Sequence, residues 1–151
     1  MTEYGSAPDT IVEVPKPVTL LGSFSDYVDG FSLMCAISDG IVISASLRED
    51  NSIRIYNAAK QDKKKFILSS IKYRREDKWA NAVKATVLSF QSAGYKLTGM
   101  NIVIAGSASA YGDVMNAMIF AGLSSLINEL YELNLPHEEL FMLARGSDAF
   151  T

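Results

Sequence analysis

The chain has 151 residues and a mass of 16.5 kDa, room for one domain. With 48% hydrophobic and 21% charged residues and a mean hydropathy of +0.11 it can bury a core, which excludes a disordered or low-complexity chain. Fourteen Lys and Arg against 17 Asp and Glu leave a net charge of −3 without a tail of one sign, so the basic footprint of a nucleic-acid binder is absent. The single cysteine, Cys35, excludes an intrachain disulfide framework and a cysteine-based zinc site, and it fits a cytoplasmic, reducing compartment. MTEYGSAPDT carries neither a basic start nor an apolar run, so no secretory leader is expected. The apolar stretch Val114 to Leu133 is broken by Asn116, Ser124, Ser125, Asn128, Glu129 and Glu132, which reads as a helix buried in protein and not as a membrane span.

Residues 1–13 are polar and unpatterned, a loose amino terminus, and order is expected from Val14. Pro15 and Pro17 hold the chain extended, and Val18-Thr19-Leu20-Leu21 reads as a short strand closed by Gly22. The turn-forming loop Ser23 to Gly30 follows. Phe31 to Ile37 and Ile41 to Leu47 are β-rich, and Ser38-Asp39-Gly40 between them predicts a hairpin. Ile53 and Ile55, and then Phe66, Ile67 and Leu68, supply two further strands, with Lys63-Lys64-Lys65 read as a solvated turn between them.

From Asp77 the period becomes helical. Trp79, Ala82, Val83, Thr86, Val87 and Phe90 share a face, Lys78, Asn81 and Lys84 are turned outward, and Gly94 closes the helix as a C′ residue. A strand centred on residues 100–104 leads through Gly106-Ser107-Ala108-Ser109-Ala110-Tyr111-Gly112 into a long helix over 113–133. Pro136 suits the first turn of a last helix over 136–146. Several strands, a helix, a strand and two helices make an α+β fold: a mixed sheet of about five strands with the helices on one face.

The strand, small-residue loop and helix at 98–130 are the most suggestive arrangement for chemistry. Unpaired N–H groups at a helix start attract anions, and small residues let a phosphate approach, yet a tight strand-to-helix connection has the same composition. No Lys-Ser/Thr pair follows Gly112, so the spacing is not that of a Walker A loop. His137, the lone histidine, opens a helix and reads as exposed, without partners for a triad or metal site. Asp26 and Asp29 read either as turn formers or as ligands for sugar hydroxyls.

The run Val18-Thr19-Leu20-Leu21-Gly22-Ser23-Phe24-Ser25-Asp26-Tyr27-Val28-Asp29-Gly30 resembles the galactokinase signature G-R-V-N-L-I-G-E-H-T-D-Y-N-x-G. Trp79 in KWANAV and Gly94 to Gly99 in SAGYKLTG resemble the family's W-x-N-Y-V and G-x-x-L-x-G stretches, in the same order. Galactokinases are GHMP small-molecule kinases, so the resemblance, over about residues 14–148, implies the amino-terminal, ribosomal-protein-S5-domain-2-like half of that fold. It implies ATP-dependent phosphorylation of galactose or a related sugar, with ATP and Mg2+ as cofactors. It further implies a sugar site at Asp26, Tyr27 and Gly30 and a phosphate loop at Gly106, Ser107, Ser109 and Gly112.

The departures from the family pattern bear on catalysis. Pro17 stands at the signature's Arg, Ser23 and Phe24 at its Glu-His pair, and Ala108 to Ala117 align with P-x-G-x-G-L-S-S-S-A without the serine triplet. Asp113 can cap the helix, but a carboxylate about 4 Å from a phosphate charge repels it by roughly 4 kcal/mol at an effective dielectric near 20. The family's G-x-M-D-Q segment with its catalytic Asp is not in these 151 residues. No catalytic residue or metal ligand is therefore assigned. The expectations are a sugar as partner, a following second domain, no transfer of phosphate by this chain alone, and self-association through apolar surface on the helices at 113–133 and 136–146. The competing readings are a sugar-binding or regulatory relative without phosphoryl transfer, and a scaffold domain with no small ligand.

Overall fold

A computed structural model of the chain describes residues 5, 7–22, 29–106 and 112–147. Five strands form one mixed sheet: β1 (Thr10–Leu21), β2 (Leu33–Leu47), β3 (Ser52–Asn57), β4 (Asp62–Ile67) and β5 (Met100–Gly106), in the spatial order β1-β2-β5-β3-β4. Three helices accompany it: α1 (Ala80–Ser92), α2 (Gly112–Leu130) and α3 (His137–Ser147). β3 runs parallel to β5 and the other neighbours are antiparallel, so the sheet is mixed, as the change of hydrophobic period implied.

Alternation along the strands decides which face is covered. Ile41, Ile43 and Ala45 of β2, Met100, Ile102 and Ile104 of β5, and Ile53 and Ile55 of β3 are all 2% exposed or less, while Val42, Ser44, Asn101 and Val103 between them stay half-exposed. The register aligns Ile43 with Ile104, Ala45 with Ile102, and Ile102 with Ile55, so these side chains form rows on one face. The buried stripe of α2, including Met118, Ile119, Leu123 and Ile127, covers this face over β1 and β2. α2 comes so close that a Cβ on Gly122 would lie 2.3 Å from Val14 Cγ2 and 2.9 Å from Ile43 Cδ1. α3 packs on α1 and α2, with Ser89 Oγ donating to the Leu143 carbonyl at 2.8 Å.

The end of α1 follows the expectation at Gly94 in detail. Gly94 has φ +94°, its N–H bonds the Gln91 carbonyl at 3.0 Å, and the Tyr95 N–H bonds the Phe90 carbonyl at 3.1 Å. That is a Schellman motif, and its apolar contact is the Phe90–Tyr95 ring pair at 5.8 Å.

Five expectations are corrected. The amino terminus is ordered earlier than Val14: β1 starts at Thr10, which is 9% exposed, because it adds an edge to β2 with Thr10 opposite Ala45. Ser38-Asp39-Gly40 does not reverse the chain. β2 runs through it as an irregular stretch, with Val14 opposite Ile41 and Lys16 opposite Ile37. Lys63-Lys64-Lys65 is no turn but part of β4, whose place at the sheet edge suits lysines that discourage further strand pairing.

Asn81 and Lys84 do not face solvent, being 3% and 4% exposed, because the connection after β4 folds over that side of α1. Asn81 Nδ2 donates to the Arg74 carbonyl at 2.8 Å and its Oδ1 accepts from the Arg74 N–H at 3.3 Å. Finally, the apolar stripe of α2 is buried within the domain. Exposed apolar surface lies instead on the outer β1–β2 ribbon, at Leu20, Leu21, Leu33 and Met34, and on α3 at Phe141 and Met142.

Candidate functional site

Sheet geometry brings the two suspected loops to one end of the molecule. β3 and the parallel β5 finish together, Asn57 opposite Ile104, and β5 ends at Gly106 opposite Ile41 of β2. β2 is antiparallel to β5, so its outer half, residues 33–40, continues past the end of β5 and pairs there with residues 16–21 of β1. The loop after β5 and the loop joining β1 to β2 thus both leave from this end.

Asp26 and Tyr27 of the expected sugar site lie outside the described residues, as do Ser107 and Ser109 of the expected phosphate loop. Gly30 is described and exposed, beside Asp29 with φ +51°. Gly106 (φ +128°) and Gly112 (φ +59°) flank the small-residue segment. Gly106 is crowded, since a Cβ there would meet the Gly40 carbonyl oxygen at 2.5 Å, whereas Gly112 has nothing within 4 Å of such a position. There is therefore open space beside Gly112 at the start of α2.

The side chains of that first turn are less suited to an anion. Asp113 and Val114 are exposed and Met115 is buried, so a carboxylate and two apolar groups occupy the turn where the family has donors. Pro17, opposite Ala36 on β1, supplies neither a charge nor an N–H.

One group at this end was not legible in the sequence. Asn57 is 1% exposed; its Oδ1 accepts from the Lys60 N–H at 3.2 Å, but its Nδ2 has no acceptor. A buried amide donor without a partner costs on the order of 1–3 kcal/mol, a cost that an acceptor on a bound ligand would remove. Trp79 fixes the neighbouring hairpin by donating from Nε1 to Asp62 Oδ2 at 3.1 Å. Among the described residues no group of three or more His, Cys, Asp or Glu could hold a metal ion, and no helix is long and apolar enough to cross a membrane.

Residues 1–47 match the model described as the galactokinase galactose-binding signature. Over 148 residues, 97% of its length, the chain is 34% identical to a provisionally named galactokinase of Treponema pallidum (strain Nichols). The chain is thus similar to the amino-terminal part of galactokinases, which are GHMP kinases. It spans about 37% of the length of curated relatives that it matches. Its fold is that of the GHMP amino-terminal domain. The Lactococcus lactis galactokinase solved with galactose superimposes with a TM-score of 0.75 at 23% identity, over 91% of this chain and 37% of that one. Methanococcus jannaschii mevalonate kinase also gives a TM-score of 0.75, at 20% identity, over 96% of this chain and 47% of that one.

Proposed function

We propose that this chain is the amino-terminal portion of a galactokinase-like sugar kinase, binding galactose or a related sugar at the β1–β2 loop and the phosphates of ATP at the start of α2. The observation that carries the reading is that the strands leading into the two loops leave the same end of the sheet, where the position beside Gly112 is open and the Asn57 amide lacks an acceptor. ATP, as its magnesium complex, would supply the phosphoryl group. Within the chain, Asp26 would accept hydrogen bonds from sugar hydroxyls, held by Tyr27 and Gly30. The backbone N–H groups after Gly106 and Gly112 would face phosphate, joined by Ser107 and Ser109.

The side chains at these positions do not supply what transfer requires. Asp113 opposes the charge, Val114 and Met115 give no hydroxyl, and Pro17 cannot stabilise a transferred phosphoryl group. These four positions favour a second reading, a sugar-binding relative that does not transfer phosphate. In either case the 151 residues alone are expected to form no ADP in response to galactose. Calorimetric titration with galactose, run beside an assay of ADP formation, tests both. Charge-assisted hydrogen bonds contribute about 1.5–3 kcal/mol each, so Asp26→Ala is expected to weaken galactose at least about tenfold. No heat with the unmodified chain, or equal affinity in both, removes the sugar site; sustained galactose-dependent ADP formation removes the non-catalytic assignment.

A homo-oligomer is a further part of the proposal. Leu20 (56% exposed), Leu21 (68%), Leu33 (54%) and Met34 (54%) leave apolar side chains exposed on the two faces of the outer ribbon, surface of a kind that associates. Sedimentation velocity is expected to show a dimer or larger species that Leu21→Lys with Met34→Lys dissociates. A monomer at high concentration would contradict it.

A further inference from the structure

The strand β4, the connection that follows it and the second turn of α1 enclose a cleft of about 230 Å³, lined among others by Lys65, Phe66, Lys72, Arg74, Asp77 and Lys84. It lies along the β4 edge, where Phe66 pairs with Ile53, away from the Asn57–Asp62 end of that hairpin. At its inner end the Lys84 ammonium, on a residue 4% exposed, donates to the Lys72 carbonyl at 2.9 Å and to the Asp77 carboxylate. It stands 5.8 Å from the centroid of the Phe66 ring, and its third hydrogen has no acceptor among the described residues. A buried charged donor in this state favours an anionic acceptor in the cleft.

Charge counting points the same way. The lining holds four cations and the one carboxylate of Asp77, and Asp77 is already engaged by Lys84 and by Lys64 at 3.7 Å. Lys65, Lys72 and Arg74 on the rim are exposed and form no ion pair among the described residues, in a chain whose net charge is −3. Their framework is fixed from within: Lys84 holds the Lys72 carbonyl, and the buried Asn81 holds both the N–H and the carbonyl of Arg74. A guanidinium fork and two ammonium groups on a fixed backbone are the chemistry that recognises a tetrahedral oxyanion.

We propose that this cleft is a second anion site, one that takes a phosphate dianion, free or carried on a small ester such as a sugar phosphate. Its volume admits the phosphate and part of the attached group, and the overall negative charge of the chain disfavours a long polyanion. The site does not depend on the kinase reading, since it uses none of the residues assigned to sugar or nucleotide.

Titration of the ¹⁵N-labelled chain with inorganic phosphate and with glucose 6-phosphate, followed by amide chemical shifts, tests it, with glucose as control. Saturable shifts at residues 65–77 and 84 are expected. Lys72→Gln with Arg74→Gln, which alters exposed heads and leaves their main-chain bonds in place, is expected to weaken binding at least about tenfold. Tighter binding of the ester assigns the site to a phosphorylated metabolite, and equal binding assigns it to phosphate itself. Shifts that do not saturate, that are unchanged in the double variant, or that fall only at residues 106 and 112–116 would overturn the proposal.

Discussion

Replacing Lys84 by methionine is expected to destabilise the domain by about 3 kcal/mol at neutral pH. Removing one member of a buried ion pair costs about 3–5 kcal/mol, because the remaining charge is left desolvated. The lower end applies here, since Asp77 keeps Lys64 at 3.7 Å and its side chain is 15% exposed. The variant also frees the Lys72 carbonyl, which Lys84 holds at 2.9 Å. The pH dependence follows from the Asp77 carboxyl. Burial pushes its pKa up, but the hydrogen bond from Lys84 and the charges of Lys84, Lys64 and Arg74 outweigh burial, so the net shift is downward. A folded pKa below the unfolded value, near 3.9, means that the stabilisation is full above that value and is lost as pH falls through the folded one. Urea denaturation of both proteins is therefore expected to show the full gap at pH 7 and a narrowing gap below about pH 4. Equal midpoints at pH 7 would show that the pair contributes nothing net.

The burial of Lys84 also marks where sequence reading stops. A helical period reports which residues could share a face, and Trp79, Ala82, Val83 and Phe90 are buried as that period required. It cannot report that the segment between β4 and α1 crosses the opposite side of the helix, which is what buries Asn81 and Lys84. The cleft beside them has no signature either, because Lys65, Lys72, Arg74 and Lys84 meet only through tertiary structure. The first half of β4 was misread for a related reason: three lysines read as solvent-facing, which is true of an edge strand as well as of a turn. The parallel neighbour of β5 is invisible to local pattern, yet it places Asn57 at the end of the sheet where β5 leads towards α2. What was legible, the alternation of Ile41, Ile43 and Ala45 and the order of the family motifs, rests on residues whose environment is set by neighbours close in sequence or by one buried face.

Gly40→Val is expected to cost about 3 kcal/mol or more, the upper part of the range for overpacking, because the obstacle is backbone. A Cβ at this position would lie 1.9 Å from the Val14 carbonyl oxygen, 2.8 Å from its carbon and 2.9 Å from Pro15 Cα. None of these atoms can rotate aside. Pushing β1 away would also lift Val14 from α2, where it already fills the space beside Gly122. On the other side Gly40 meets Gly106, so the same glycine sets the approach of β1, β2 and β5 where the ribbon leaves the sheet. The local damage should therefore travel outward. Between the Val14–Ile41 and Lys16–Ile37 pairs β2 carries two residues more than β1, an even number that keeps each strand's core face in phase across the irregularity. A wider spacing at Gly40 would release the ribbon from that register and, with it, the loop that carries Asp26. Hydrogen exchange is expected to accelerate at residues 16–21 and 33–39 by more than at β3 and β4, along with a lower denaturation midpoint. Ser38→Ala, at an exposed position of the same irregular stretch, serves as the control and should leave both unchanged. If residues 38–40 instead formed a free turn, valine at Gly40 would be tolerated to within about 1 kcal/mol, the ordinary range of β propensity, and the inner ribbon would exchange no faster than before.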